Sequence, residues 1–232
     1  MKKIFLAVFT IALLYINGTA QTYIQGGVNL ANITKTTNGQ TEDNNMLTSF
    51  NAGILGRFGL SKVIDLETGL LFTGKGSKAE TYFVNGSTSD NYVKTKFNPF
   101  YIEVPLNLVV RVPLQKTHGL FFNAGPYAAI GVGGKSSSES KILGLTSSSE
   151  NDIKFSNDNP FTSRQEDASY YKLKRFDFGL NIGGGFDLGK LLLKVNYGYG
   201  LTKINSTESN NASDDKNKYR TLSFSIGIPI GK

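Results

Sequence analysis

Eight long segments of the chain alternate apolar and polar residues with a period of two, which is the pattern of β-strands whose two faces meet different surroundings. In the last segment, Leu222, Phe224 and Ile226 alternate with small or polar residues. Each segment has at least ten residues, whereas strands in soluble sheets usually have about 5–6. A tilted strand needs about 9–11 residues to cross a bilayer, so these lengths suit a membrane. The segments are 23–32, 48–61, 64–75, 100–111, 119–134, 176–187, 191–202 and 220–230.

The connections between these segments alternate between long and short. The long connections are rich in Asn, Ser, Thr, Asp and Lys and cover residues 33–46, 76–95, 135–173 and 205–218. The short ones are 61–63, 113–118 and 188–190. An even strand number with all long loops at one end is typical of outer-membrane barrels, which have short periplasmic turns and long outside loops. The sequence therefore predicts an all-β fold, an eight-stranded antiparallel transmembrane β-barrel with both ends periplasmic. Ten strands are the alternative, if residues 82–84 and 91–93 form a hairpin that crosses the membrane.

The two faces of the predicted strands differ in a way that favours lipid outside and a narrow lumen inside. One face is an uninterrupted series of Phe, Leu, Ile and Val, and the other is rich in glycine and small polar residues. A soluble surface would carry more Lys and Glu than this chain, of which only 19% is charged. Single charges on the polar face suit a small barrel that side chains fill, and we expect them to form a structural network of ion pairs. They are Arg57, Glu67, Glu103, Arg111, Asp177 and Lys194.

A charged constriction or a catalytic carboxylate is the functional alternative for these six residues. Glu103 and Arg111 are eight residues apart on one strand face, so each is expected to pair across the lumen with one of the other four. Pro105 lies in the middle of the same segment, and a proline removes a donor from the strand ladder. We therefore expect a bulge or a local bend beside Glu103.

The first twenty residues read as a secretory signal peptide. Lys2 and Lys3 precede an apolar run of about a dozen residues, and small residues lead to a cleavage site after Ala20. The apolar run is shorter than the ~20 residues that a membrane helix needs. We expect residues 1–20 to be removed and residues 21–232 to form one outer-membrane barrel domain. Loss of the two lysines lowers the formal charge from +7 to +5, and this modest, dispersed surplus argues against nucleic acid as a partner.

The residue inventory excludes several chemistries. The chain has no cysteine and one histidine, His118. It therefore has no disulfide scaffold, thiolate metal site or cysteine nucleophile, and a Ser-His-Asp triad would depend on a single histidine in a predicted turn. We predict no catalytic, cofactor-binding or metal-binding residue, no cofactor and no enzymatic activity.

Several short motifs occur in a specific order along the predicted strands. Residues 26–33 read GGVNLANI, residues 100–106 read FYIEVPL and residues 125–127 read GPY. Residues 176–185 contain FDFG and GGG, and residues 197–204 read YGYGLTKI. In this order the motifs resemble the strands of the PorT-like family of outer-membrane β-barrel domains. The resemblance covers most of the chain after residue 20 and implies an outer-membrane barrel. The family's namesake is tied to protein secretion, a role that the resemblance alone does not transfer.

These observations favour a non-enzymatic interaction or structural role in the cell envelope of a Gram-negative bacterium. The expected partners are outer-membrane lipid and another envelope protein or an outside ligand, bound through loops 76–95 and 135–173. We expect a monomer. The second loop holds an apolar patch at 142–145, and residues 153–155 could pair back as a small hairpin. A small-solute pore and a soluble, lipocalin-like binding barrel are the alternatives.

Overall fold

The computed structural model describes residues 20–37, 40–43, 46–85, 88–114, 118–161, 172–204 and 217–230. No helix in these ranges is long and apolar enough to cross a membrane. The strands in these ranges are β1 (Ala20–Thr37), β2 (Gln40–Asp43), β3 (Leu47–Gly59), β4 (Ile64–Gly74), β5 (Ser77–Asn85), β6 (Thr88–Pro113), β7 (Gly119–Ile142), β8 (Leu145–Asp152), β9 (Lys154–Ser156), β10 (Lys172–Lys174), β11 (Phe176–Asp187), β12 (Leu192–Gly200) and β13 (Lys218–Ile230).

Eight of these strands form a closed antiparallel ring. Its order is β1, β3, β4, β6, β7, β11, β12 and β13, and β13 pairs back onto β1, with Leu30 opposite Leu222. The predicted all-β, eight-stranded antiparallel barrel is confirmed. β5 pairs with β6 alone and lies at the end of the strand order, so the ten-stranded alternative is wrong. The hairpin of β5 and the first part of β6 extends beyond the rim of the ring.

The outward face of the ring is apolar along its whole height. On β6, for example, Ile102, Val104, Leu106 and Leu108 are exposed, and the residues between them are buried. This face runs from Val112 to Phe100, which at ~3.3 Å per residue and a tilt of about 45° spans about 28 Å. A barrel's lipid-facing band is about 25 Å tall. The wall therefore matches the hydrocarbon core of a bilayer.

An aromatic cluster marks the end of this wall that lies nearer the long loops. The rings of Phe72 and Phe100 stack with centroids 5.2 Å apart, and both contact Phe50 at 5.8 and 5.7 Å. Such girdles are typical of the boundary between hydrocarbon and headgroups.

The irregularity in β6 is not at Pro105, where the sequence predicted it. The register of β4 against β6 is the same on both sides of Pro105, with Thr68 opposite Leu106 and Leu71 opposite Glu103. The register shift lies instead between Phe100 and Tyr101, opposite a glycine-rich part of β7. Pro105 is accommodated by a local gap in the ladder, because its missing N–H removes one bond without adding a residue.

Two structures rise from the rim at the long-loop end. β5, the first part of β6, the last part of β7 and β8 form a four-stranded sheet, which we call the outer sheet. The second structure, which we call the cap, is the parallel pair β9 and β10. The hairpin predicted at 153–155 is therefore wrong, because β9 pairs in parallel with a distant segment. The apolar patch at 142–145 forms the tip of the outer sheet, where Leu143 is 87% exposed.

Candidate functional site

The lumen is the one part of the ring where charged and polar side chains gather, and layers of side chains fill it from one end to the other. One layer in the short-turn half of the lumen is an apolar cluster of five buried residues. All five lie on ring strands and point inward. They are Tyr23, Leu55, Val109, Phe121 and Leu192.

In contact with this layer lies the short-turn cluster, which consists of Arg57, Glu67 and Lys194. The Arg57 Nε donates to Glu67 Oε2 at 2.9 Å, and the Lys194 ammonium binds Glu67 Oε1. Tyr23 and Asn107 donate to the same carboxylate at 2.6 and 3.1 Å. Glu67 is 0% exposed. Four donors therefore surround a carboxylate that water does not reach.

The two terminal nitrogens of the Arg57 guanidinium have no hydrogen-bond partner among the described residues. Instead, the Arg57 Cζ lies 4.0 Å from the centroid of the Phe121 ring and 5.4 Å from that of Tyr23. A cation over an aromatic face is attracted by the ring quadrupole. The rings of the apolar layer thus replace part of the hydration that Arg57 loses.

A second group of charges, the long-loop cluster, has the opposite composition and consists of Lys75, Glu103 and Asp177. The Lys75 Nζ lies 2.9 Å from Glu103 Oε2 and 2.8 Å from Asp177 Oδ2. Tyr127 and Thr202 donate to Asp177 at 3.0 and 2.6 Å. One cation here binds two carboxylates, whereas in the short-turn cluster one carboxylate binds two cations. The six charges of the two clusters sum to zero.

The structure separates Arg111 from the other five residues that the sequence singled out. Its Nε lies 2.8 Å from Asp65 Oδ2, and the Arg111 side chain is 42% exposed. This pair is at the short-turn rim and belongs to neither cluster. The expected pairing of Glu103 and Arg111 with one of the other four residues is wrong, because Glu103 binds Lys75 and Arg111 binds Asp65.

Sequence reasoning missed Lys75 and Asp65, although a signal was present. Both residues are an even number of positions from Glu67 in the segment 64–75, so the alternation of side chains along a strand assigns them to the same inward face. Lys75 is the last residue of that predicted segment, and in the structure it directly follows β4.

Two chains of amides cross the middle of the lumen, and the second of them reaches the long-loop cluster at Glu103. In the first, Gln25 donates to Asn51 at 3.1 Å and Asn51 donates to Asn29 at 2.7 Å. The second passes from Asn123 through Asn196 and Asn181 to Glu103. Its hydrogen bonds are 2.9, 3.2 and 3.2 Å long. These bonds hold the amide side chains in place, although the Oε1 of Gln25 and the Oδ1 of Asn123 have no hydrogen-bond partner among the described residues.

A small polar chamber lies between the two clusters. Its volume is about 40 Å³, and Lys75 and Lys194 lie at its border. It is lined also by Gln25 and Asn107, whose buried side-chain oxygens have no hydrogen-bond partner among the described residues. A water molecule needs about 10–15 Å³ of such space. The chamber therefore fits about three water molecules and is too small for a solute such as a sugar.

The cap closes the lumen at the long-loop end. Leu173 of β10 is buried in an apolar cluster with Tyr101, Tyr127 and Tyr219, and Phe155 of β9 packs against it. The Tyr101 ring meets those of Phe155 and Tyr219 edge to face, with centroids 5.6 Å apart in both pairs. Aromatic side chains thus separate the long-loop cluster from the outside.

No group of three or more His, Cys, Asp or Glu side chains within the described ranges is arranged to hold a metal ion. The carboxylates of Glu67, Glu103 and Asp177 are each saturated by cations and hydrogen-bond donors. Each of these three carboxylates therefore lies within ion-pair distance of a lysine or an arginine.

Solved structures with a similar chain path are outer-membrane proteins. The attachment invasion locus protein Ail of Yersinia pestis is 14% identical, and the match covers 91% of this chain and 99% of Ail with a TM-score of 0.42. OprG of Pseudomonas aeruginosa is 10% identical over 93% of this chain and 98% of its own, with a TM-score of 0.39. The outer membrane protease OmpT of Escherichia coli is also 10% identical over the same shares, with a TM-score of 0.35.

No curated protein matches the sequence. The family model for the outer membrane protein beta-barrel domain matches residues 18–206, which is most of the chain. The match agrees with the closed ring of eight strands, the apolar outer wall and the filled polar lumen. The chain belongs to the family of outer membrane protein beta-barrel domains.

Proposed function

We propose that this chain is a closed, non-enzymatic barrel that serves as a structural or interaction protein of the cell envelope. The observation that carries the proposal is the filled lumen. Two apolar layers, two charged clusters and two chains of amides occupy it. A barrel of eight strands leaves an interior that side chains can fill, and here the remaining chamber is about 40 Å³.

Electrical recording in planar bilayers tests the proposal against the small-solute pore. We expect the folded, purified chain to give no stable conductance steps, because the cap and both clusters block the path. A double variant, Tyr101→Ala with Tyr219→Ala, serves as a control, since it removes two ring-strand side chains that pack under the cap and keeps the ion pairs of both clusters. Conductance from this variant alone would show that the recording detects an opened lumen. Reproducible conductance steps from the unaltered chain would contradict the proposal and favour the pore.

The soluble, lipocalin-like alternative is tested by fractionation. We expect the native protein in the membrane fraction, extracted only by detergent, because its outward face is apolar over about 28 Å. Recovery of a detergent-free monomer that binds an apolar ligand would contradict a membrane role.

The non-enzymatic part of the proposal rests on the saturated carboxylates and on the lone His118. A protease or lipase needs a nucleophile or an activated water beside a base that substrate can reach. Glu67, Glu103 and Asp177 lie below the cap and bind cations instead. Hydrolysis of peptide or ester substrates by the pure protein, abolished by Asp177→Asn, would contradict this reading.

Two finer assignments belong to the same proposal. We propose cleavage of a signal peptide after Ala20, which N-terminal sequencing of the mature protein tests, with Gln21 expected first. We also propose membership of the PorT-like branch, supported by the motifs at 100–106, 125–127 and 197–204.

Partners are proposed to bind a monomer through loops 76–95 and 135–173. Much of both loops lies in the outer sheet, and the second also provides the cap. Crosslinking from a single cysteine placed at the exposed tip residue Leu143 tests this, because the chain has no other cysteine. We expect one dominant adduct with another envelope component. If the crosslinks form only between copies of this chain, the proposal that it is a monomer is wrong.

A further inference from the structure

The outer sheet segregates its charges on one face. Strand pairing places Lys78 opposite Lys96 and Glu80 opposite Lys94, and the same registers continue through β7 to β8. Because side chains alternate between the two faces of a strand, these registers show which residues share the face of Lys78 and Lys96. Within residues 77–83, 91–98, 135–142 and 145–152, every charged residue lies on that face. These residues are Lys78, Glu80, Lys94, Lys96, Lys135, Glu139, Lys141, Glu150 and Asp152. The opposite face has only Ser, Thr, Asn, Ala and apolar residues.

The charged face continues the lipid-facing wall of the ring. Phe100 lies on that wall, where it stacks on Phe72, and Phe97 points the other way and packs against the cap cluster. Alternation along β6 therefore directs Lys96 and Lys94 outward. Lys96 is four residues beyond Phe100, which raises it about 9 Å above the aromatic girdle. Lysine side chains reach along such a wall with their ammonium groups at headgroup level.

Lys78 and Lys96 face each other directly across a pair of strands. Like charges in this position destabilise a sheet. Glu80 offsets part of the charge, since its carboxylate lies 3.4 Å from the Lys78 Nζ and accepts a hydrogen bond from Tyr82 at 2.9 Å. These donors lower the pKa of the Glu80 carboxyl below its ordinary value.

Positive charge remains in excess where Lys78 and Lys96 meet, because Glu80 is the one carboxylate that pairs with either of them among the described residues. Lys96 is exposed and makes no ion pair with the described residues. Lys94 lies over the Tyr92 ring, 4.4 Å from its centroid. Glu139 of β7 lies directly opposite Lys94 and offsets its charge. Lys78 and Lys96 share Glu80 as their close counter-charge at the level at which lipid phosphates lie, and an anion between the two lysines would relieve their repulsion.

We propose that Lys78 and Lys96 form a site for the phosphate groups of anionic lipids in the outer leaflet. The observations that carry this are the opposed lysines, the segregated charges and the continuity with the lipid-facing wall. The inference rests on the membrane location of the barrel and not on the closed lumen, so conductance of the chain would leave it unaffected.

A titration of lipid A into phosphatidylcholine vesicles that hold the full chain tests the proposal. A dye on Thr146→Cys, in the otherwise cysteine-free chain, reports binding of dye-labelled lipid A by energy transfer. Each lysine near an anionic surface contributes about a fivefold gain in affinity, so Lys78→Gln with Lys96→Gln should weaken binding by about 30-fold. Arginine at both positions should retain binding, because it retains the charge.

The matched control for the single Lys96→Gln variant is Lys141→Gln, which removes one charge near the tip of the outer sheet, farther from the hydrocarbon, and should leave the affinity unchanged. Equal affinity of the Lys78→Gln, Lys96→Gln variant and the unaltered chain would overturn the proposal. Inorganic phosphate that binds as tightly as lipid A would overturn the lipid as the occupant. The mobility of unheated protein on gels reports folding. If the double variant does not fold, Lys96→Gln alone should weaken binding by about fivefold.

Discussion

Each carboxylate oxygen of Glu67 has two partners, Lys194 and Asn107 on one side and Arg57 and Tyr23 on the other. A buried ion pair must offset the loss of hydration of both ions, and it does so only with good geometry and further hydrogen bonds. Glu67 meets both conditions. Loss of the Glu67 carboxylate should therefore lower the free energy of unfolding more than loss of a surface carboxylate.

Replacing Glu67 with Gln should destabilise the folded barrel by about 3–5 kcal/mol, because Arg57 and Lys194 then remain buried without a counter-charge. Urea unfolding in vesicles, followed by gel mobility, measures the change. Glu80→Gln is the matched control, since its carboxylate lies in the outer sheet and its surface pair adds little. Adding Lys194→Met to Glu67→Gln should recover part of the loss. Equal stability of the Glu67 and Glu80 variants would contradict the buried network.

Two leucines of similar exposure test which residues touch lipid. Leu106 is 47% exposed in the middle of the apolar wall, and Leu60 is 56% exposed at a short turn. In water, a lysine would be tolerated at both positions. In a bilayer, Leu106→Lys should cost about 2–4 kcal/mol near the midplane, whereas Leu60→Lys should fold normally. Assembly yield into vesicles measures the difference. Equal yields would show that the wall faces water.

Lysine at Asn107 is not a suitable control for this test. The sequence assigns Asn107 to the lumen face, which predicts that a lysine there is tolerated far better than at Leu106. In the structure Asn107 is 1% exposed and donates to Glu67. A lysine would crowd a filled layer beside Lys194.

At the scale of elements, the cap depends on a close approach between β9 and β7. A Cβ at Gly131 would lie 2.2 Å from the Phe155 ring, whereas a Cβ at Gly133 would have nothing within 4 Å. Glycine at 131 therefore leaves the space that Phe155 occupies above the lumen.

Gly131→Ala should displace Phe155 and loosen the cap, while Gly133→Ala should leave it unchanged. Hydrogen exchange measures this directly, because locally destabilised elements exchange faster than the rest of the fold. We expect faster exchange of β9 and β10 amides in the Gly131 variant, with the ring strands protected as before. Equal exchange in both variants would show that Phe155 does not hold the cap.

At the scale of the whole molecule, the ring and the outer sheet are separate structures that share β6 and β7. Replacing residues 79–95 with an Asn-Gly turn, which favours a two-residue hairpin, should leave a folded barrel. The ring pairings of β6 from Phe100 onward are retained in this variant. Heat-modifiable mobility on gels checks the result. As the control, deletion of β11 and β12, which are ring strands, should abolish folding. If the variant that lacks residues 79–95 does not fold, the 77–96 hairpin is part of the membrane-spanning ring.

The sequence by itself determined the strands of the ring and which residues face lipid. The alternation of Leu222, Phe224 and Ile226 is a local property of extended backbone, in which neighbouring side chains point to opposite faces. The lengths of the connections can also be read directly from the sequence. The even number of ring strands and the position of all long loops at one end of the barrel therefore followed from the sequence. The course of the long loops, 76–95 and 135–173, was beyond this reasoning, because their strands pair above the rim.

Only the tertiary structure decided which inward residues meet. Lys75 and Asp177 are 102 positions apart in the chain, and parity places both inside without saying that they touch. Their contact depends on how the ring closes and on the heights at which β4 and β11 cross the lumen. The same geometry moves Arg111 to the rim with Asp65 and buries Glu67 between two cations. Alternation sets the direction of a side chain, whereas the stagger of the closed ring sets its height, and a contact across the lumen requires both.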